Sequence, residues 1–171
     1  MTMPPAPTPD ERLLDAEVDI RERLGEYPLD FASLLAISNI YRAATAVRRR
    51  AERGVLAQAD LSWGGFTILW VLWVWGEMET ARLASECDLA KGTLTGMVTT
   101  LEKQDLVQRT RLASDRRRVR VGLTPAGLDT IERLFPAFNG FEGEMSEGLS
   151  DAEKGELARL LRVVTTNASG R

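Results

Sequence analysis

The sequence predicts a mainly α-helical fold that contains one small β-hairpin. Apolar residues recur at three- and four-residue steps through most of the chain, which is the period of helices with a buried face. The period changes to two after Asp105 and returns to the helical value after Pro125, so one pair of strands interrupts the helices. Capping residues stand before several helical segments, and glycines follow some of them.

The N-terminal region is expected to be a disordered tail over 1–9, because prolines are frequent there. A first helix should follow, with Thr8 as its cap and Pro9 in its first position, and Gly25 should end it after Leu24. This acidic helix is either a solvated surface helix, a shield for a basic lobe, or extra packing in a dimer. We favour the last, because the helix has a modest apolar face.

Two longer helices come next. Asp30 is placed to cap the first, which carries Ile37 and Tyr41 among its apolar residues and should stop at Gly54. Ser62 fits the cap of the second, which is apolar almost all round and must therefore be enclosed by other helices. Four of its aromatic residues follow one another at three- and four-residue steps, namely Trp63, Phe66, Trp70 and Trp73.

Two short helices are predicted over 79–86 and 91–104, and the four residues between them allow only a tight turn. The second helix has an apolar inward stripe and an outward face that is small and rich in hydroxyl groups. The outward face consists of Lys91, Gly92, Thr93, Thr95, Gly96 and Thr99, and the candidate DNA-binding residues of this helix also include Thr100 and Lys103. Such a face can approach base edges closely, so the pair is predicted to be a helix-turn-helix. The alternative is an ordinary exposed helix face. Threonine and glycine are poor choices for such a face, because both are weak helix formers.

The strands form a hairpin in which Val107, Arg109 and Arg111 face Val119, Val121 and Leu123 across a turn at 113–115. Its tip is basic and comprises Asp115, Arg116, Arg117 and Arg118. A positive finger of this kind suits a narrow minor groove, and an aspartate can hold one guanidinium in place. The alternative is a charged edge that only prevents aggregation. Following a helix-turn-helix directly, the hairpin is interpreted as a wing.

Two more helices close the chain. Thr124 and Pro125 start one that runs toward Phe138, and glycines predict a kink or break near Asn139–Gly140. A capping box over 150–153 starts the last helix, which should end near Thr166.

Composition excludes most other functions. The chain has no histidine and one cysteine, so the usual general base and a zinc site are both missing, and we expect neither an enzyme nor a metal or other cofactor. Net charge is −3, but residues 102–120 hold seven basic groups and three acidic ones, while residues 1–30 hold three basic and eight acidic. This local basic patch favours a polyanionic partner. No apolar stretch is long enough to span a bilayer, so we expect a cytoplasmic protein without membrane contact.

Four segments resemble the MarR (multiple antibiotic resistance regulator) family. They are residues 89–95 (LAKGTLT), 101–107 (LEKQDLV), 115–117 (DRR) and 121–127 (VGLTPAG). The strong part of the resemblance covers about residues 61–127, and the order of helices extends it more weakly to about 30–167.

The resemblance implies a triangular homodimer that binds double-stranded DNA at a pseudo-palindromic operator. It implies that 91–103 is the recognition helix, that Arg117 enters the minor groove and that Asp115 steadies it. Relatives often carry a basic or polar residue where this chain has Gly96, which weakens the expectation of base readout there.

These observations together predict a winged helix-turn-helix flanked by dimerisation helices. We expect N-terminal dimerisation helices over 10–56, the DNA-binding domain over 57–124 and C-terminal dimerisation helices over 125–171. The predicted function is a transcription regulator, and the resemblance implies more specifically a dimeric repressor released by a small aromatic effector. The alternative is a winged-helix module that binds protein partners without specific DNA readout.

Two further features leave alternatives open. The aromatic residues Trp63, Phe66, Trp70 and Trp73 either pack in the core or wall a pocket for the aromatic effector, together with Ile37 and Tyr41. The cysteine, Cys87, is either a buried small apolar residue, which we favour, or a redox switch.

Overall fold

A computed structural model describes residues 13–112 and 115–170, without the side chains of residues 112 and 115–117. The chain divides into two compact units, Met1–Ala46 and Val47–Arg171. Its helices are α1 (Asp15–Leu24), α2 (Phe31–Arg53), α3 (Trp63–Trp75), α4 (Thr80–Glu86), α5 (Lys91–Lys103), α6 (Pro125–Met145) and α7 (Asp151–Ala168). Its strands are β1 (Met78–Glu79), β2 (Val107–Leu112) and β3 (Asp115–Leu123), and a short 3-10 turn occupies Ala57–Ala59. The predicted mainly α-helical fold with one hairpin is confirmed.

Helix α1 begins later than predicted. The expected cap, Thr8, lies with Pro9 and the predicted tail outside the described residues, but Leu14 is extended and the first helical residue is Asp15. The Glu17 carboxylate sets this start by accepting a hydrogen bond from the Leu14 backbone N–H at 2.7 Å. A glutamate in the third helical position can thus fix the start of a helix after a residue whose own side chain cannot cap it.

Glu17 also joins α1 to α2. It is only 5% exposed and accepts a second hydrogen bond, at 2.7 Å, from the Asn39 side-chain amide. The hydrogen bonds from Leu14 and Asn39 hold the pKa of Glu17 below its ordinary value. Sequence reasoning missed this contact, because only the fold brings the two residues together. The predicted cap of α2 is confirmed, since Asp30 accepts from the Ser33 N–H at 3.1 Å.

The second unit has one apolar core. Helix α3 supplies much of it and packs against α5, α6 and β3, as expected for a helix without a polar face. The core residues of α3 are Phe66, Ile68, Leu69, Val71 and Leu72. Ser62 caps the helix as predicted, accepting from the Gly65 N–H at 3.1 Å.

The three strands form an antiparallel sheet in the order β1-β3-β2. The predicted hairpin register is confirmed, with Val107 opposite Leu123 and Arg109 opposite Val121. The prediction placed Asp115 in the turn, but its backbone belongs to β3, and the remaining turn residues, 113 and 114, lie outside the described residues. Strand β1 was not predicted, since two residues are too few to show a period.

Helix α6 has no break near Asn139–Gly140, where the glycines predicted a kink or a break. It is continuous through this point to Met145. The reason is packing, because Phe138 and Phe141 are both buried and hold the two sides of the glycine to the core. Tertiary contacts therefore outweigh the weak helix propensity of glycine. The capping box of α7 is confirmed, with Glu153 accepting from the Ser150 N–H at 2.7 Å.

Among the helices described, none combines the length and the apolar character that a membrane crossing requires.

Candidate nucleic-acid interface

Helices α4 and α5 form the predicted helix-turn-helix. The turn between them is closed by hydrogen bonds from the Cys87 N–H to the Leu83 carbonyl at 3.0 Å and from the Leu89 N–H to the Ala84 carbonyl at 2.9 Å. Asp88 has a left-handed backbone (φ 51°), which aspartate tolerates better than most residues. The inward stripe of α5 lies in the core, which leaves the opposite face toward solvent. The buried stripe consists of Leu94, Val98 and Leu101.

The outward face of α5 is exposed as the sequence predicted. Seven of the eight candidate residues are exposed and one, Thr99, is half-buried. The exposed residues are Lys91, Gly92, Thr93, Thr95, Gly96, Thr100 and Lys103. A Cβ at either glycine would have no neighbour within 4 Å. The described part of the protein therefore leaves room for a larger residue at both positions.

The first turn of α5 offers uncapped backbone donors. The residue before the helix, Ala90, has no side chain that could accept their hydrogen bonds. Free N–H groups and the positive end of the helix dipole attract phosphate oxygens. Lys91 is exposed at the same end of the helix and adds a positive charge.

Arg109 joins the wing to α5, a role that sequence reasoning missed. From β2 its guanidinium donates to Glu102 at 2.5 Å, to the Thr95 carbonyl at 3.1 Å and to the Thr99 hydroxyl at 3.1 Å. These contacts connect the strand to the middle and the end of the recognition helix. The one available signal was the inward-alternating position of Arg109 in β2, where an arginine requires an acceptor.

In the wing, the structure places Arg118 against Glu79, at the junction of β1 and α4. The two side chains form an ion pair, with the Arg118 Nε 3.2 Å from Glu79 Oε2. This hydrogen bond lowers the pKa of Glu79. Arg118 is thus tied to the base of the wing. The side chains of the other three predicted wing residues, Asp115, Arg116 and Arg117, lie outside the described residues.

The loop that follows α5 is also tied to the start of α6. The Thr124 hydroxyl donates to the Asp105 carbonyl and accepts from the Gly127 N–H at 3.0 Å. Gly127 lies so close to the chain that a Cβ there would be 1.9 Å from the Leu106 carbonyl oxygen. The Leu-Thr-Pro-Ala-Gly segment therefore serves two purposes, since it starts α6 and holds the loop that follows α5.

The four predicted effector residues of α3 are packed to different degrees. Phe66 is buried and stacks on Phe138 with ring centroids 4.2 Å apart, and Trp63 lies 6.0 Å from the same ring. Trp73 contacts Phe135 at 5.1 Å. Trp70 meets Trp75 edge-on at 5.4 Å. The aromatic residues of α3 thus contribute to the core of their unit, as one of the two interpretations held.

The other two predicted effector residues, Ile37 and Tyr41, are exposed on α2. A surface cavity of about 490 Å³ lies elsewhere in the second unit, and none of the six predicted effector residues lines it. Its lining includes Asp60, Gln104 and Arg133.

Cys87 is half-buried at the end of α4. Burial, and then the nearby Glu86 carboxylate, raise the pKa of its thiol to about 11. The thiol is therefore neutral at physiological pH, which favours the inert interpretation over the redox switch.

A helix-turn-helix followed directly by a β-hairpin, with its recognition helix exposed, is the architecture of winged-helix DNA-binding proteins. The MarR family model matches residues 61–119, which contain the helix-turn-helix, β2 and the first part of β3. An HTH-type transcriptional regulator of Bacillus subtilis, YwaE, is 36% identical over 160 residues, which are 92% of this chain and 94% of the relative. The chain belongs to the MarR family.

Solved structures agree on the fold. A mutant of MarR from Escherichia coli in complex with operator DNA matches with a TM-score of 0.71 and 21% identity, over 80% of this chain and 98% of that one. Bordetella bronchiseptica BpsR, whose DNA binding is regulated by 6-hydroxynicotinic acid, matches with a TM-score of 0.69 and 23% identity, over 75% and 91%. The family consists of transcriptional regulators that bind DNA, so this chain is a DNA-binding regulator and not an enzyme.

Proposed function

We propose that the protein is a homodimeric repressor that binds a pseudo-palindromic operator and is released by a small aromatic effector. The observation that carries the proposal is the exposed face of α5, with its uncapped N-terminus beside Lys91. In this arrangement α5 enters the major groove, and the wing reaches the adjacent minor groove with Arg117 steadied by Asp115. Arginine, lysine and backbone N–H groups hold phosphates and set the register.

The C-terminal helix supports the dimer. No residue of α7 is buried, although the helix has apolar side chains at three- and four-residue steps. Leu157, Leu160, Leu161 and Val163 are 38% to 48% exposed. An apolar stripe that the described residues leave exposed on an 18-residue helix favours association with a second copy. A dimer would place two recognition helices about 34–36 Å apart, in successive major grooves.

The aromatic cluster of α3 supports the effector. Trp63, Trp70 and Trp73 are only partly buried, so each presents an aromatic surface at the edge of the core. BpsR, with the same fold, responds to an aromatic acid. The compound would act by binding one arrangement of the two recognition helices better than the other, and only to the extent of that difference.

The test is fluorescence anisotropy of the full chain on its own upstream intergenic DNA and on a scrambled duplex, across a series of salt concentrations. We expect tight binding to the first, weak binding to the second, and a steep fall of affinity with salt. Equal and weak binding to the natural duplex, the scrambled duplex and fragments selected from the whole genome would contradict the proposal and favour a module that binds protein partners.

Arg117→Ala tests the wing. We expect the operator affinity to fall by about 1–3 kcal/mol, because a guanidinium in the minor groove is lost. The matched control is Arg133→Ala, which removes the same charge from the exposed surface of α6. Its mass in sedimentation equilibrium should equal that of the unaltered protein, which shows that association is intact, and its operator affinity should be unchanged. Unchanged affinity and operator preference for Arg117→Ala would contradict the assignment of the wing.

A further inference from the structure

Three of the four threonine hydroxyls on α5 are already used as hydrogen-bond donors. Thr95 donates to the Lys91 carbonyl at 2.8 Å, Thr99 to the Thr95 carbonyl at 2.8 Å and Thr100 to the Gly96 carbonyl at 3.3 Å. A hydroxyl carries a single hydrogen, so each of these groups retains only its acceptor lone pairs and the neighbouring methyl group.

Thr99 has even less to offer a base, because its hydroxyl also accepts a hydrogen bond from Arg109 at 3.1 Å. Thr95 differs, since it is exposed and its hydroxyl accepts nothing within the described part of the chain. Thr93 keeps its donor, but it lies in the first turn of α5 beside Lys91, the end that the phosphate backbone would approach. Thr100 shares these properties but lies in the last turn of α5, so Thr95 is the central side chain of the face.

The centre of the face has no group suited to guanine. Guanine presents two acceptors in the major groove, N7 and O6, and is read by donors such as arginine or lysine. Residues 92–100 contain no arginine, lysine, asparagine or glutamine. Thymine, by contrast, presents a C5-methyl group that an apolar side-chain group can contact. A methyl group whose hydroxyl partner is turned to the helix backbone matches that base.

We propose that Thr95 is a specificity residue that reads the C5-methyl group of thymine near the centre of each half-site. Gly92 and Gly96 flank it on the same face and leave space that a Cβ would fill, so the helix can approach the base closely. The inference rests on the proposed function, because it needs α5 in the major groove. It predicts that the centres of the half-sites are rich in A·T pairs.

The experiment replaces each thymine of the operator with deoxyuridine, one position at a time, which removes only the methyl group. We expect the affinity of the full chain to fall about four-fold at one position in each half-site, the factor that corresponds to burial of one methyl group. At that position Thr95→Ser, which loses the methyl group and keeps the hydroxyl, should bind the thymine and deoxyuridine duplexes equally well.

The matched control is Thr165→Ser on α7. Thr165 is exposed and its hydroxyl donates to the Leu161 carbonyl at 2.9 Å, in the same way as that of Thr95. This variant should keep the full preference for thymine. A duplex with 5-methylcytosine at the critical position should bind the unaltered protein more tightly than the same duplex with cytosine, and this arm needs no variant.

Two outcomes would overturn the inference while leaving the regulator intact. One is specific operator binding that no deoxyuridine substitution weakens. The other is a thymine preference that survives Thr95→Ser. A protein that binds no duplex specifically would instead contradict the proposed function, so the two failures are distinguishable.

Discussion

Gly127 has the tightest backbone approach among the glycines described. A Cβ would lie 1.9 Å from the Leu106 carbonyl oxygen, and neither backbone segment can move without disturbing the Thr124 hydrogen bonds. We expect Gly127→Ala to lower the free energy of unfolding by about 3 kcal/mol or more, as severe overpacking does. Urea denaturation followed by circular dichroism measures this.

Gly140→Ala is the matched control for this prediction. Gly140 lies within the same helix, and a Cβ there would meet nothing within 4 Å. Since alanine is the better helix former, this variant should be as stable as the unaltered chain or more stable by about 0.5–1 kcal/mol. Equal effects of the two substitutions on the free energy of unfolding would contradict the prediction that the close approach at Gly127 excludes a Cβ.

For single residues, the sequence predicts contacts to nearby positions in the chain better than contacts to distant segments. The caps at Asp30, Ser62 and Ser150 were predictable, because each accepts from a backbone N–H three residues further along the chain. Gly127 and Arg109 were not, because their neighbours come from other segments of the chain. A glycine required by a close approach looks, in the sequence, like a glycine that nothing requires.

At the scale of elements, the orientation of the wing depends on Arg109 and Glu102. Both side chains are about 30% exposed, and Arg109 makes two further hydrogen bonds to α5. We expect a double-mutant cycle of Arg109→Ala and Glu102→Ala to give a coupling free energy of about 1 kcal/mol or more in urea denaturation. The operator affinity should also fall for each single variant, because the wing is then no longer held in a fixed orientation relative to α5.

Arg133 and Asp129 provide the comparison. They form an exposed pair, one helical turn apart on α6, with side chains 73% and 68% exposed. Their coupling free energy should be about 0.3–0.5 kcal/mol. If the Arg109–Glu102 coupling were no larger than this, the contact would be an ordinary surface pair and the wing would be held by other means.

Helices and strands with a periodic sequence signal could be predicted. The predictions failed where tertiary packing determines the local structure. The registers of β2 and β3 follow from alternation, and α3 follows from its lack of a polar face. The continuity of α6 depends on Phe138 and Phe141 reaching the core, which a local reading of Gly140 could not reveal. For the site, the sequence predicted the exposure of seven of the eight candidate residues on α5 but not the partial burial of Thr99. The use of three hydroxyl donors within the helix could be recognised only from atomic positions.

At the scale of the whole molecule, basic and acidic groups are concentrated in different parts of the chain. A pseudo-palindromic operator has two half-sites and therefore requires two copies of the chain. The net charge is −3, so a basic wing and recognition helix must attract DNA locally while the rest of the molecule repels it. The number of phosphates neutralised sets the slope of log affinity against log salt. A dimer that contacts two half-sites should therefore show about twice the slope of a monomer on one.

The apolar stripe of α7 gives the test of this argument. Leu160→Glu places a charge in the stripe, at a side chain that is 47% exposed in the single chain. The fold of each chain should survive, and sedimentation equilibrium should show the mass of a monomer for this variant and, as the proposed function requires, the mass of a dimer for the unaltered protein. On the operator, the variant should bind with about half the salt slope, because each complex then neutralises half the phosphates.

Val74→Glu is the control, since Val74 is 50% exposed on α3, outside the proposed dimerisation helices. It introduces the same charge and should change neither the mass nor the slope. A dimeric mass for Leu160→Glu would mean that α7 is not essential for association. A monomeric mass with an unchanged slope would mean that two separate chains assemble on the operator, with the DNA and not α7 holding them at the spacing of one helical turn.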